Sequence, residues 1–336
     1  MTAVGPFGLS VRDQALEADV QTGLAAVEAG LLDACKSDVP FISEAAQHLV
    51  RAGGKRFRPL LVMLASQFGD PHAPGIVPSA VVVELTHLAT LYHDDVMDEA
   101  DVRRGVPSAN ARWGNSVAVL TGDFLFARAS HILADLGPEA VRIQAEAFER
   151  LVTGQILETA GPRDGRDPVD HYLDVIAGKT GSLIAVSGRF GAMMSGADEQ
   201  VVDILTQYGE RLGVAFQLAD DLLDIASDSH ESGKTPGTDL REGIATLPVL
   251  HLRAQAAASG TADDQELVAL LDSDLTDDDR HAEALRRLRV HPALELARRD
   301  TVRYAQDARA TLAPLPECYA KAALEELCDL VVHRAG

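Results

Sequence analysis

The stretch Asp94-Asp95-Val96-Met97-Asp98 sets how the rest of the chain is read. Two adjacent carboxylates are followed by a third, three residues on. In a helix Asp94 and Asp98 lie one turn apart on one face, with Asp95 beside them. Anionic side chains this close repel one another unless something positive sits between them. The same spacing recurs at Asp220-Asp221-Leu222-Leu223-Asp224. One such trio reads as a solvated helix face. Two, each embedded in apolar sequence, point instead to hard divalent cations with oxygen ligands.

Around these trios the chain of 336 residues is 46% hydrophobic, enough for a large core. Acidic residues outnumber basic ones, 51 to 30, for a formal charge of −21. That speaks against coating nucleic acid. It leaves an anionic substrate open, because metals and a local basic patch reverse the sign inside one cleft. Cys35, Cys318 and Cys328 show neither metal-ligand spacing nor a disulfide framework, as expected of a reducing, cytoplasmic setting. The N-terminus has no basic n-region followed by an apolar run, so no secretory signal is expected. No transmembrane segment is expected either, since no stretch approaches a membrane span of uninterrupted apolar residues.

Apolar residues recur at helical spacing almost throughout. Residues 1–10 read as a flexible end. Helical runs are expected over Val11–Lys36, Ile42–Arg51, Leu60–Phe68, Val81–Glu99, Val117–Leu136 and Pro138–Glu158. Val169–Ser195 follows, interrupted near Gly178-Lys179-Thr180-Gly181, and Glu199–Ser227 carries the second trio. Gly69–Pro78 and Asp228–Thr246 read as loops, the latter long enough to suggest function. The run Asp277-Asp278-Asp279 reads as a solvated loop. No alternating strand pattern of useful length appears. The expected fold is all-α, a single large helical bundle over residues 1–336.

If the two trio-bearing helices face each other, their carboxylates form two opposing walls. Mg²⁺ usually takes one or two carboxylates and completes its octahedron with water and phosphate, so a diphosphate is expected between the walls. The basic residues fit that substrate: Lys55, Arg56 and Arg58 after Gly53-Gly54, Arg103 and Arg104 just beyond Asp98, Lys179 at the helix interruption, and Lys234 in the long loop. His87 lies two turns before Asp94 on the same face, placed for an anionic substrate. Gly233-Lys234-Thr235 imitates the end of a phosphate-binding P-loop, but the earlier glycine is absent and no strand precedes it. His93-Asp94 resembles a phosphohydrolase motif but leaves the second trio unexplained.

Taken in order, these motifs resemble those of the trans-prenyltransferases, the polyprenyl diphosphate synthases. Gly53-Gly54-Lys55-Arg56-Phe57-Arg58-Pro59 is similar to their first signature. Asp94–Asp98 with Arg103-Arg104-Gly105 is similar to their first aspartate-rich motif, and Gly178-Lys179-Thr180 and Phe216–Asp224 to later ones. The resemblance implies a central cavity in the bundle, and head-to-tail condensation of isopentenyl diphosphate onto an allylic diphosphate, in a homodimer. It assigns isopentenyl diphosphate to Lys55, Arg58, His87 and Arg104. It assigns about three Mg²⁺ per active site, held on the allylic diphosphate by Asp94, Asp98, Asp220 and Asp224, with Asp95, Asp221 and Lys179 also catalytic. Arg103, Lys179, Thr180, Gln217 and Lys234 would contact the allylic diphosphate. The chain departs from many relatives at Ile244, where they carry a lysine after Glu242-Gly243.

A growing tail would run down the apolar face below Asp94, past Thr90, Ala89 and Thr86. Ala89 lies about 7.5 Å along the helix axis from Asp94. Short-chain members resemble this pattern but place bulky aromatics at Ala89 or Thr90. Small residues leave the path open, so a product of roughly C35 to C50, of the kind used for a quinone side chain, is expected. Tyr92 and Phe126 are candidate partial floors. The alternatives are a shorter-chain farnesyl or geranylgeranyl diphosphate synthase, a non-catalytic subunit of a heteromeric synthase, and a terpene cyclase, which would not need the Lys55/Arg58 pocket.

Overall fold

The computed structural model describes residues 13–226 and 236–335. The expected flexible end at residues 1–10, and Lys234, lie outside them. In chain order the helices are α1 (Gln14–Ala34), α2 (Pro40–Arg51), α3 (Phe57–Ala65, prolonged by a 3₁₀ turn at Ser66–Phe68), α4 (Ile76–Met97), α5 (Ala109–Trp113), α6 (Asn115–Leu136), α7 (Pro138–Ala160), α8 (Pro168–Ile176), α9 (Ser182–Met194) and α10 (Glu199–Ala226). Then come α11 (Thr238–Arg241), α12 (Leu247–Ser259), α13 (Ala262–Leu271), α14 (Asp278–Val290), α15 (Pro292–Thr311) and α16 (Tyr319–Ala335). The all-α expectation holds. Among the described residues the sole sheet is a hairpin of β1 (Val102–Arg103) and β2 (Val106–Pro107).

The chain divides into two compact units. One comprises Met1–Glu149, Leu183–Gly209 and Thr311–Glu326, the other Arg150–Ser182, Glu210–Ala310 and Leu327–Gly336. In the first, α4 is the core helix, packed against α1, α3 and α6. Its sequence includes the β-branched run Val81-Val82-Val83, poor helix formers, yet all three are buried. Burial on nearly every side outweighs propensity here. α4 begins at Ile76 rather than Val81 because Pro78 is tolerated in a first turn, so the preceding loop is shorter than expected. At 22 residues, and largely apolar, α6 is long enough to cross a membrane. It nevertheless carries Asp123 and Arg128 and buries Ala118, Gly122, Leu125 and Ala129 within this unit.

In the second unit the expected interruption near Gly178–Gly181 is a π turn, Ala177–Gly181, between α8 and α9. Single π turns of this kind often mark functional positions. One expectation is corrected. Asp277–Asp279 is solvated, as expected, but is a helix start rather than a loop: the Asp277 carboxylate accepts from the Arg280 amide at 2.9 Å and caps α14, whose first turn holds Asp278 and Asp279. Acidic residues there meet the positive end of the helix dipole.

Candidate active site

In the first unit α4 stops at Met97, and Asp98 is its C-cap, its amide donating to the Asp94 carbonyl at 2.8 Å. Asp94 is half-buried and Asp98 exposed, whereas Asp95 is fully buried. Asp95 does sit beside the other two, about 100° from Asp94 and about 60° from Asp98 around the helix, and what the structure adds is that its carboxylate is buried in the protein. Its Oδ1 accepts from Arg103 Nε at 2.5 Å, and its Oδ2 is buried without a hydrogen-bond partner. Burial raises the Asp95 pKa above the usual carboxylate value, against the pull of Arg103. Arg103, expected on a substrate phosphate, spends its Nε on this pair, with Nη2 3.9 Å from Asp98.

The hairpin after Asp98 closes through Arg104-Gly105, with φ +54° and +76°. Positive φ at both central residues is the signature of a type I′ turn, where asparagine or glycine is the ordinary first choice. The strained arginine is held by its far end. Its guanidinium donates to the Leu49 carbonyl at 3.1 Å and to that of Gly53, and lies 3.9 Å from Glu84. Gly54, itself at φ +150°, makes room for it: a Cβ there would meet the Arg104 guanidinium at 2.8 Å.

Arg58 and His87 lie close to Arg104. Burial and the Arg104 charge push the Arg58 pKa down to about 10, still a cation at neutral pH, and its Nε is buried without a hydrogen-bond partner. Burial, then the charges of Arg58 and Arg104, hold His87 well below the usual imidazole range, so it is neutral. Lys55 is exposed in the same loop. An orphaned guanidinium N–H beside a second arginine and a neutral imidazole suits an anion with many acceptor oxygens.

Sequence reasoning missed the counter-charge. Glu84 is buried on α4, 3.0 Å from Arg56 Nη1. Arg56, left-handed at φ +48°, also binds Glu28 and the Val50 carbonyl at 3.0 Å. Arg56 is thus part of the framework rather than of the anion site. The available signal was a lone carboxylate in an apolar helix, one turn before His87.

Below the trio, Thr86 is buried and accepts from Gln144 Nε2 of α7 at 2.9 Å, while Gln144 Oε1 has no partner. Ala89 is buried, and the half-buried Thr90 hydroxyl donates to the His87 carbonyl. Tyr92 is not a floor: its hydroxyl donates to the Ala45 carbonyl of α2 at 2.6 Å. Phe126 packs at a tilt against Phe148, centroids 4.4 Å apart, and against His93 at 5.8 Å.

The second unit repeats the inward turn of the middle carboxylate. Asp221 is buried, accepting from the Tyr172 hydroxyl and from Gln217 Nε2 at 2.8 Å. Burial raises its pKa to about 6, and Tyr172 is held well above the usual phenol range by burial and by Asp221. Gln217 in turn accepts from Thr180 Oγ1 at 2.9 Å, tying the π turn to α10. Lys179 of that turn meets Glu158 at 2.6 Å. Asp220 and Asp224 are partly exposed. The Asp224 carboxylate accepts from the amides of Thr238 and Asp239 at 3.2 and 3.1 Å. Ile244 lies in the turn after α11, its amide bonded to the Asp239 carbonyl.

Among the described residues no three carboxylate, histidine or cysteine side chains already cluster as a metal site. What each trio offers is two outward carboxylates on successive turns. That all-oxygen set fits Mg²⁺, which completes its shell with water and phosphate, better than a preformed cage for calcium or zinc.

An all-α fold with an aspartate trio on a long helix in each unit, and a buried basic pocket in the first, has the groups that a class of enzymes acting on phosphorylated substrates by charge stabilisation requires. Residues 39–288 match the polyprenyl synthetase family, and the chain belongs to it; it is a prenyltransferase. Over 330 residues it is 48% identical to the nonaprenyl diphosphate synthase of Mycobacterium tuberculosis, covering 98% of this chain and 97% of that one. Its fold is similar to that of geranylgeranyl pyrophosphate synthase from Corynebacterium glutamicum, solved with calcium and isoprenyl diphosphate (TM-score 0.87, 45% identity, 97% and 99% of the two chains). It is also similar to that of a decaprenyl diphosphate synthase from Rhodobacter capsulatus (TM-score 0.86, 36% identity, 96% and 99%).

Proposed function

We propose that the protein is a Mg²⁺-dependent polyprenyl diphosphate synthase. It joins isopentenyl diphosphate head-to-tail to an allylic diphosphate and makes a long all-trans chain of about C35 to C50, for a quinone side chain. The whole chain acts as one catalytic domain, in a cytoplasmic homodimer. The observation that carries the reading is the shared plan of the two trios, each with its middle aspartate buried and its outer two, one helical turn apart, at least partly exposed. Bound Mg²⁺ would supply Lewis-acid stabilisation of the leaving diphosphate, held by Asp94, Asp98, Asp220 and Asp224. Lys179, Thr180, Gln217, Arg103 and Lys234 orient that diphosphate. Arg58, Arg104, Lys55 and neutral His87 hold isopentenyl diphosphate, so that its double bond lies against the allylic carbon. As the allylic C–O bond breaks, the double bond attacks the cation, and the released diphosphate takes the proton lost.

The Thr86–Gln144 hydrogen bond favours a second reading, a shorter product, because it bridges two helices on the path assigned to the tail. One experiment decides between them. The purified protein is incubated with Mg²⁺, labelled isopentenyl diphosphate and farnesyl diphosphate, and products are separated by chain length. Products beyond C35 that shorten in Ala89→Phe support the long-chain reading. Arrest at C20 selects the shorter one, and no condensation rejects both.

A further inference from the structure

Among the buried polar side chains of the second unit that the mechanism above does not use is His281 on α14. Its Nε2 lies 2.8 Å from the Gly237 carbonyl oxygen. A carbonyl only accepts, so this nitrogen carries the proton. Gly237 has φ +73°, and a Cβ there would sit 2.7 Å from the same nitrogen. Both the backbone conformation and the ring demand glycine. The residues that follow hold Asp224 on three sides. The Gly237 amide donates to the Asp224 carbonyl at 2.7 Å, and the Thr238 and Asp239 amides donate to the two oxygens of its carboxylate.

The turn that clamps Asp224 continues into α11, a helix of four residues, far too short to hold its shape unaided. Its tertiary supports include the buried Leu240, the His281 contact to Gly237, and Arg241, which meets the Asp278 carboxylate of α14 at 2.8 Å. α14 also reaches the end of α10 directly: Arg289, two turns from His281 and on the same helix face, donates to the Ile225 carbonyl at 2.7 Å. α14 is therefore a platform under both the turn and the helix end between which Asp224 is fixed.

We propose that His281 is a positioning residue for the second aspartate trio. By holding the Gly237 carbonyl it sets the turn whose amides orient the Asp224 carboxylate, and so tunes the affinity of the trio for divalent metal. The proposal rests on the assignment of Asp224 to metal. Partners that orient a ligand characteristically change metal affinity by roughly tenfold or more when removed.

The test is Mn²⁺ binding by the full chain in the presence of inorganic diphosphate, read by electron paramagnetic resonance, with circular dichroism to follow folding. His281→Leu is expected to weaken Mn²⁺ binding by roughly tenfold, with kcat at saturating Mg²⁺ largely kept. His281→Gln, which restores an N–H donor, recovers most of the loss. Gly237→Ala is expected to reproduce the loss and decides the matter if His281→Leu does not fold. Native Mn²⁺ affinity in folded His281→Leu, or in Gly237→Ala, overturns the proposal whatever happens to Tm. Asp220→Ala is the separate control: native Mn²⁺ affinity there removes the second trio from metal binding altogether, a failure of the underlying assignment rather than of His281.

Discussion

The two aspartate trios share a spacing but not a means of support. In the first, the inward Asp95 is neutralised by a permanent charge, Arg103, and the outer Asp98 caps a helix end in solvent. In the second, the inward Asp221 is held by neutral groups, Tyr172 and Gln217, and the outer Asp224 is clamped by backbone amides. One motif has been built twice from different chemistry. The spacing is shared, and each unit disposes of its buried middle carboxylate in its own way.

The largest effect expected from this difference is on stability. Arg103→Met leaves Asp95 buried without its cation and costs about 3–4 kcal/mol, at the lower end for a broken buried pair because the raised pKa of Asp95 lets it take up a proton. Tyr172→Phe removes one hydrogen bond to a buried carboxylate and leaves Gln217 in place, for about 2 kcal/mol. Denaturant unfolding of the two variants checks the order, and equal costs would erase the distinction.

A smaller, pH-dependent effect sharpens it. The pKa of Asp221 is raised from 3.8 to about 6 in the folded protein. Its contribution is therefore fully present below the unfolded value and is lost as pH rises through the folded one. In metal-free protein this amounts to about 3 kcal/mol at most, spent between about pH 4 and pH 6. Asp221→Asn is expected to flatten the stability profile in that window. A wild-type slope in the variant would show that other groups set it.

Much of the fold could be read from residue spacing. The helical period located α4 and α10, and Gly178–Gly181 located the π turn, because glycines and apolar period are local properties. What spacing did not reveal depends on tertiary surroundings. Asp95 and Asp221 share the spacing of their neighbours, and only the surrounding elements decide that these two are buried and held by protein groups. Glu84 looked like a stray charge until Arg56 and Arg104 were found around it. Asp277–Asp279 reads as a loop because its acidic residues, exposed as expected, serve a helix start and not a core. His281 carried no motif at all, since its partner is a backbone carbonyl.

The central claim is that both trios serve one diphosphate, and a double-mutant comparison tests it most directly. Asp94→Asn and Asp220→Asn are each expected to lower kcat/KM for the allylic substrate by about a thousandfold. Groups that act as a unit are strongly non-additive, so the double variant should lose little more than either single one. Losses that multiply, or a single variant with native kcat/KM, would contradict the account.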